Sequence, residues 1–177
     1  MNTIQTYDSK TIFYHWTSAV LILGLWILGQ SIDIFPKGPI RINARSVHII
    51  CGLILAILLV VRLGWRMQGG IKLPPSVPGL VGKSGVGVHY VLYLLVIFTI
   101  LLGILAVWVR GDILFNVFQV SALDPTNKPL RKTVVEFHEL CASSLLFLSL
   151  GHGLIAVWHH KIIKDEVLIR MWPGIRK

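Results

Sequence analysis

Four histidines, His15, His48, His138 and His152, fall within or at the mouth of long uncharged apolar runs. An ionisable side chain at such depth costs a few kcal/mol or more, so it normally has a partner and a task. His138 and His152 are 14 residues apart on what reads as one helix. That is nearly four turns, so both rings leave the same face, about 21 Å apart along the axis. An apolar slab ~30 Å thick would hold one of them near each side. His15 and His48 supply one partner at each level. One buried histidine bonding to a carbonyl would need no further account. Four of them, paired by depth and two in register, predict two bis-histidine metal centres. Zinc would need a third or fourth ligand at one level, and no such set is visible. Haem iron takes one imidazole on each face, which facing helices of a bundle can supply.

The elements that must hold these rings are long and apolar. The chain has 177 residues, of which 54% are hydrophobic and 14% charged, with a mean hydropathy of +0.72. A soluble domain carries about 25% charged residues. Four stretches are free of charge when histidine is counted as neutral: Thr11 to Ile32, Ser46 to Val61, Ser84 to Val109 and Leu140 to His160. Three exceed the roughly 20 residues that span a bilayer, and the second becomes long enough if Arg62 and Arg66 snorkel to the interface. The pattern predicts an all-α integral membrane protein, a four-transmembrane-helix bundle with helices at about 11–31, 46–66, 87–110 and 133–160. One membrane domain then covers residues 1–177. The first run is longer than a signal-peptide core and lacks a small-residue cleavage site, so it reads as a retained helix. Pro36 and Pro39 break the first connection, and Gly69, Gly70, Pro74, Pro75 and Pro78 make the second irregular. The third, about 111–132, holds Ile113, Leu114, Phe115, Val117 and Phe118 and reads as an apolar segment on the membrane surface, a lid over the helix mouths. The tail from 161 to 177 alternates apolar and charged residues and reads as an interfacial helix.

The formal charge of +9 would suggest nucleic acid in a soluble protein. Here the basic residues flank the helices, and no compact basic domain exists to bind a nucleic acid. Of the 17 Lys and Arg residues, ten lie on the side of the termini, Arg176 and Lys177 among them, and seven on the other. The positive-inside rule therefore puts both termini in the cytoplasm. His15 pairs with His152 at the cytoplasmic level and His48 with His138 at the outer one. The outer side is unusually basic for a translocated surface. Arg41, Arg45, Lys128, Arg131 and Lys132 could steer a small anion there, or could contact lipid headgroups and haem propionates. His159 follows His152 by seven residues and could donate protons near the inner centre, His89 less readily. Gly24, Gly52, Gly103, Gly151 and Gly153 would let a flat ring approach the helices. Cys51 and Cys141 each follow an outer histidine by three residues, yet a haem between those helices would hold them too far apart for a disulfide. The absence of a CxxCH motif argues against covalent haem.

Several stretches carry a family resemblance: Tyr14-His15-Trp16, Ser46-Val47-His48-Ile49-Ile50-Cys51-Gly52, Phe137-His138-Glu139-Leu140, Gly151-His152, His159-His160-Lys161, Lys164-Asp165 and Leu168-Ile169-Arg170-Met171-Trp172-Pro173. With them the chain resembles the bacterial cytochrome b561 family of di-haem, quinone-linked membrane cytochromes. They touch every predicted helix except the third. The resemblance implies two non-covalent b haems held by His15, His48, His138 and His152, a bacterial inner-membrane location and electron transfer with ubiquinone. A similar family member oxidises superoxide and passes the electron to ubiquinone. Others serve as cytochrome b subunits of hydrogenases or dehydrogenases and carry an extra helix. Three readings follow: an oxidoreductase from superoxide or another periplasmic donor to ubiquinone, an electron conduit docked to a separate dehydrogenase or hydrogenase, and a non-redox adaptor, which would leave the histidines without purpose.

Overall fold

A computed structural model describes residues 5–175; Arg176 and Lys177, counted above on the cytoplasmic side, lie outside the described residues. Four helices carry the architecture: α1 Ser9–Ser31, α2 Pro39–Gln68, α3 Gly79–Arg110 and α4 Lys128–Trp158. All four are long and apolar enough to cross a membrane. Three of them run well past the uncharged windows. The helices continue through Arg41, Arg45, Lys83, Lys128, Arg131 and Lys132, because charge ends the apolar band without ending backbone hydrogen bonding.

The ends are set by ordinary capping chemistry. The Asp8 carboxylate accepts from the Thr11 amide (2.9 Å) and hydroxyl (2.7 Å) at the start of α1. Pro39 opens α2, where a missing N–H costs nothing. Gly111, at φ 65°, closes α3 in the left-handed conformation. The Asn127 side chain accepts from the Leu130 amide (3.0 Å) at the head of α4.

Among the described residues the backbone of each helix lies close to that of two neighbours, and the backbones of the diagonal pairs, α1 with α3 and α2 with α4, stay apart. The contacts are densest within α3–α4 and next within α1–α2, and sparse between those two helical hairpins. The bundle is therefore two halves meeting along a thin seam. Leu55, Leu59, Val96 and Leu145 make the small buried core there. Most other apolar side chains, such as Phe13, Ile57, Leu94, Phe147 and Leu154, face outward, as lipid-facing residues do.

The third connection differs from the expected surface segment in having a fold of its own. Strands β1 Ile113–Leu114 and β2 Phe118–Gln119 pair antiparallel, Ile113 opposite Gln119 and Leu114 opposite Phe118. The turn places Phe115 and Asn116 at positive φ, 49° and 59°. The Phe115 amide donates to Ser46 Oγ (2.8 Å), and Asn116 Nδ2 donates to Asn43 Oδ1 (2.9 Å). Ser46 is fully buried. The hairpin is thus fastened to α2 two residues before His48.

The tail is not the expected helix. One π-helical turn, His159–Ile163, is followed by Lys164 at φ 60°, turns, and a 3₁₀ turn at Pro173–Ile175. Its polar groups bond to three other segments. The Tyr7 amide donates to the Arg170 carbonyl (3.1 Å), Arg170 Nη1 to the Pro74 carbonyl (2.6 Å), and Trp16 Nε1 to the Met171 carbonyl (3.0 Å). These bonds tie the N-terminal segment, the α2–α3 loop and the tail together at one end of the bundle, the termini end. The hairpin marks the other.

Candidate redox-cofactor site

The four histidines come together as two pairs. At the hairpin end the ring centres of His48 on α2 and His138 on α4 are 6.2 Å apart, with planes at 84°. At the termini end His15 on α1 and His152 on α4 are 6.3 Å apart, with planes at 71°. Both pairs straddle the thin seam, α1–α2 supplying one ring and α4 the other. Among the described residues neither pair shares a hydrogen bond. A metal-bound imidazole nitrogen lies about 2 Å from its metal, and about 1 Å more reaches the ring centre, so two rings on opposite sides of one ion sit about 6 Å apart. Both separations match that value.

The hairpin-end rings are seated by backbone. His138 Nδ1 lies 3.0 Å from the Thr99 carbonyl. A carbonyl only accepts, so Nδ1 carries the proton and Nε2 keeps its lone pair for a metal, the arrangement common to metal-binding histidines. A Cβ added to Gly103 would come within 3.0 Å of His138 Cε1, and one added to Gly29 within 3.2 Å of His48 Cε1. Gly103 therefore seats the His138 ring, a different part from the ring-admitting role expected of it, and Gly29 plays the same part opposite without having been foreseen. Added Cβ atoms at Gly24, Gly52, Gly151 and Gly153 meet nothing within 4 Å, so those positions border open space. His48 Nδ1 is buried with no hydrogen-bond partner; the Leu25 carbonyl stands near but out of good geometry.

The termini-end pair has charged company. Arg62 does not snorkel to the interface as expected. Its Nη2 lies 3.1 Å from His15 Nδ1, and its guanidinium carbon sits 5.3 Å from the Tyr93 ring centre. A guanidinium only donates, so His15 Nδ1 is the acceptor in this arrangement. The His89 ring is 4.9 Å from that of His152, which makes it part of this site and not of the rim. His159 lies apart, paired through Nδ1 with Asp165 Oδ2 at 2.5 Å.

The five outer basic residues differ in what holds them. Arg41 is held by the Asp33 carboxylate (3.2 Å), the Asp33 carbonyl (2.9 Å) and the Phe35 carbonyl. Arg45 lies between Asp33 (3.9 Å) and the buried Asp112 (3.7 Å). Lys132 pairs with Glu136 at 3.7 Å. Lys128 and Arg131 instead line a cleft of about 580 Å³ with Arg110, Gln119, Asp124 and Asn127. Arg110, at the end of α3, joins them in this cleft. Its partner is Asp112 at 2.8 Å, and it stands close enough to act electrostatically on both His48 and His138. Its proximity to the rings could not be read from a helix-terminal position alone. Asp124, across the cleft, is held below the ordinary carboxylate range by the Thr126 hydroxyl and amide. Cys51 and Cys141 are free thiols.

Comparison with known proteins identifies the family. The family model described as prokaryotic cytochrome b561 matches residues 6–174. The chain is 31% identical to "Probable superoxide oxidase CybB" of Yersinia pestis, covering 97% of this chain and 98% of that protein. It is 29% identical to "Cytochrome b562" of Cereibacter sphaeroides, over 93% and 94% of the two chains, and 28% identical to "Cytochrome b561 homolog 1" of Escherichia coli, over 96% and 98%.

Proposed function

We propose that this chain, which belongs to the prokaryotic cytochrome b561 family of membrane electron carriers with b-type haem, binds two b haems and passes electrons from superoxide at the hairpin end to ubiquinone at the termini end. One observation carries the reading: two histidine pairs at 6.2 and 6.3 Å, each bridging the same seam. On it His48 and His138 would hold one haem, and His15 and His152 the other. The haems, when bound, supply a one-electron iron couple at each level. The ten-to-seven bias in Lys and Arg supports a bacterial inner-membrane location with the termini end cytoplasmic and the hairpin end periplasmic.

The chain's own groups then have distinct tasks. Thr99 keeps Nδ1 of His138 protonated, so that Nε2 is free to ligate. Lys128, Arg131 and Arg110 line a cleft suited to a small anion, and the name of the Yersinia relative supports superoxide as that anion. Arg41, Arg45 and Lys132 each face a carboxylate and contribute less. His159 donates protons at the termini end. The balance is two superoxide ions giving two electrons and two dioxygen molecules, and one ubiquinone taking two electrons and two protons to become ubiquinol.

The test is stopped-flow mixing of purified, haem-loaded protein with superoxide. The haem bands should reduce rapidly, and more slowly as salt rises, because the Debye length is only about 10 Å at 0.1 M. Lys128→Gln with Arg131→Gln should slow that step at unchanged haem content. A second reading, an electron conduit docked to a separate dehydrogenase or hydrogenase, is favoured by the hairpin's outward apolar edge, where Val117 is 89% and Phe118 62% exposed. Negligible reduction by superoxide at every salt concentration would put that reading first.

A further inference from the structure

Regular α4 bonding ends at Trp158, and the chain then makes a π turn, His159–Ile163. Single π turns concentrate at functional sites because they re-aim side chains at a cost in hydrogen-bond geometry. Lys164 follows in the left-handed conformation, φ 60°, where a non-glycine residue is strained. The outcome of these two irregularities is specific. Asp165 is carried back onto His159, its amide reaching the His159 carbonyl (3.3 Å) and its Oδ2 reaching His159 Nδ1 (2.5 Å). The other oxygen, Oδ1, accepts from the Val167 amide (3.1 Å), so both carboxylate oxygens are engaged. The two side chains are 12% and 20% exposed, sheltered for a polar pair at a helix end. A helix that merely had to stop would need neither feature.

We propose that Asp165 is the positioning residue that makes His159 the proton-delivering group of the termini-end site; this deepens the quinone-reducing reading above and rests on it. A carboxylate accepts only, so Nδ1 of His159 carries a proton and Nε2 is the exchangeable position. The imidazole takes a proton from cytoplasmic water at Nε2 and becomes a cation held against Asp165. It then delivers that proton: the Nε2–H bond breaks, an O–H bond forms on the quinone oxygen, and the imidazole is neutral again. Two such transfers accompany the two electrons of each ubiquinone. The bond to Asp165 fixes the tautomer and holds the ring in orientation. His159 sits seven residues beyond His152, about 10 Å nearer the membrane surface, a suitable place for a relay between bulk water and the inner haem.

The test uses haem-loaded protein, reduced beforehand and then oxidised in parallel by ubiquinone-1, which requires protons, and by ferricyanide, which takes an electron alone. Asp165→Asn should slow oxidation by ubiquinone-1 about ten- to a hundredfold, with kcat falling and KM little changed, because general acid catalysis contributes about 10²–10⁴-fold and loss of the positioning residue removes part of it. Its haem spectrum and its oxidation by ferricyanide should match wild type, and Asp165→Glu should recover part of the quinone rate. The inference is overturned if Asp165→Asn reduces ubiquinone-1 at the wild-type rate. It is equally overturned if both acceptors slow together or haem is lost, since the residue would then be structural. Wild-type protein that ferricyanide oxidises and ubiquinone-1 does not would instead sink the quinone reading, and this assignment with it.

Discussion

The two histidine pairs are nearly equal in separation and unlike in surroundings. At the hairpin end His138 donates to a main-chain carbonyl, and two glycines hold the paired rings from behind. The groups that seat the rings there are backbone, and the charged Arg110 acts on them electrostatically while held by Asp112. At the termini end the rings stand among side chains that can move and carry charge: Arg62 against His15, and His89 against His152. On the proposed ligation the hairpin-end site is preset on its α4 side, with Nε2 of His138 free for a metal. The termini-end site must give something up, because ligation through Nε2 of His15 leaves a proton on Nδ1 and nothing for Arg62 to donate to. A preset site suits an electron entry point, and an adjustable, charged site suits the end where electrons and protons are delivered together.

The largest effects should come from the ligands themselves. His48→Ala or His138→Ala should remove the hairpin-end haem, and His15→Ala or His152→Ala the termini-end haem, each leaving one haem per chain by pyridine haemochrome assay. Retention of both haems in any of these variants would break the pairing. Next is Gly103→Val, which puts a branched side chain where even a Cβ lies 3.0 Å from His138. Overpacking of this kind costs about 1–3 kcal/mol. The variant should lose or spectrally shift the hairpin-end haem alone, which low-temperature spectra can resolve.

A smaller change is expected from Arg62→Gln. Glutamine carries an acceptor as well as a donor, so it can face either tautomer of His15. The termini-end haem potential should move in a redox titration while the other stays. Equal movement of both potentials would erase the distinction drawn between the sites. The smallest effect belongs to Asp8, outside the membrane span. Burial alone would raise its carboxyl, but bonds from the Thr11 hydroxyl and amide, the Ile71 amide and the Trp65 indole bring it down to about 2. A carboxylate depressed in the fold stabilises above its unfolded value and stops doing so as pH falls through the folded one. The termini end should therefore loosen between about pH 4 and pH 2, seen as a change in tryptophan fluorescence, and Asp8→Asn should remove that transition.

Much of this arrangement is legible in the chain because depth along a helix is simple arithmetic. Fourteen residues between His138 and His152 place two rings on one face, and uncharged runs locate the helices. What escapes the arithmetic depends on how helices cross and turn. Gly29 matters only because α1 passes His48 at that height. Arg62 sits where arginines usually reach for the interface, and only the juxtaposition with His15 and Tyr93 draws it inward. The tail has helical alternation, but it folds as successive turns whose Arg170 and Met171 carbonyls accept from Tyr7 and Trp16, while the Arg170 side chain reaches the Pro74 carbonyl. The Asp165–His159 pair requires a left-handed lysine, which no propensity announces.

The seam has a biosynthetic consequence. On the proposed ligation, α1 and α2 each contribute half of a centre, while α4 contributes the missing half of both. It also leaves the ribosome after the other three. A nascent chain ending before Lys128 would hold two unmatched imidazoles and no complete pocket, and the arrival of one helix would finish both pockets together. Haem loading would then be a single late step, after translation and insertion of α4. Cells short of haem would accumulate a fully inserted chain with its two halves held by the small core of Leu55, Leu59, Val96 and Leu145 and by the polar ties at the two ends, open to membrane proteases until the cofactors arrive.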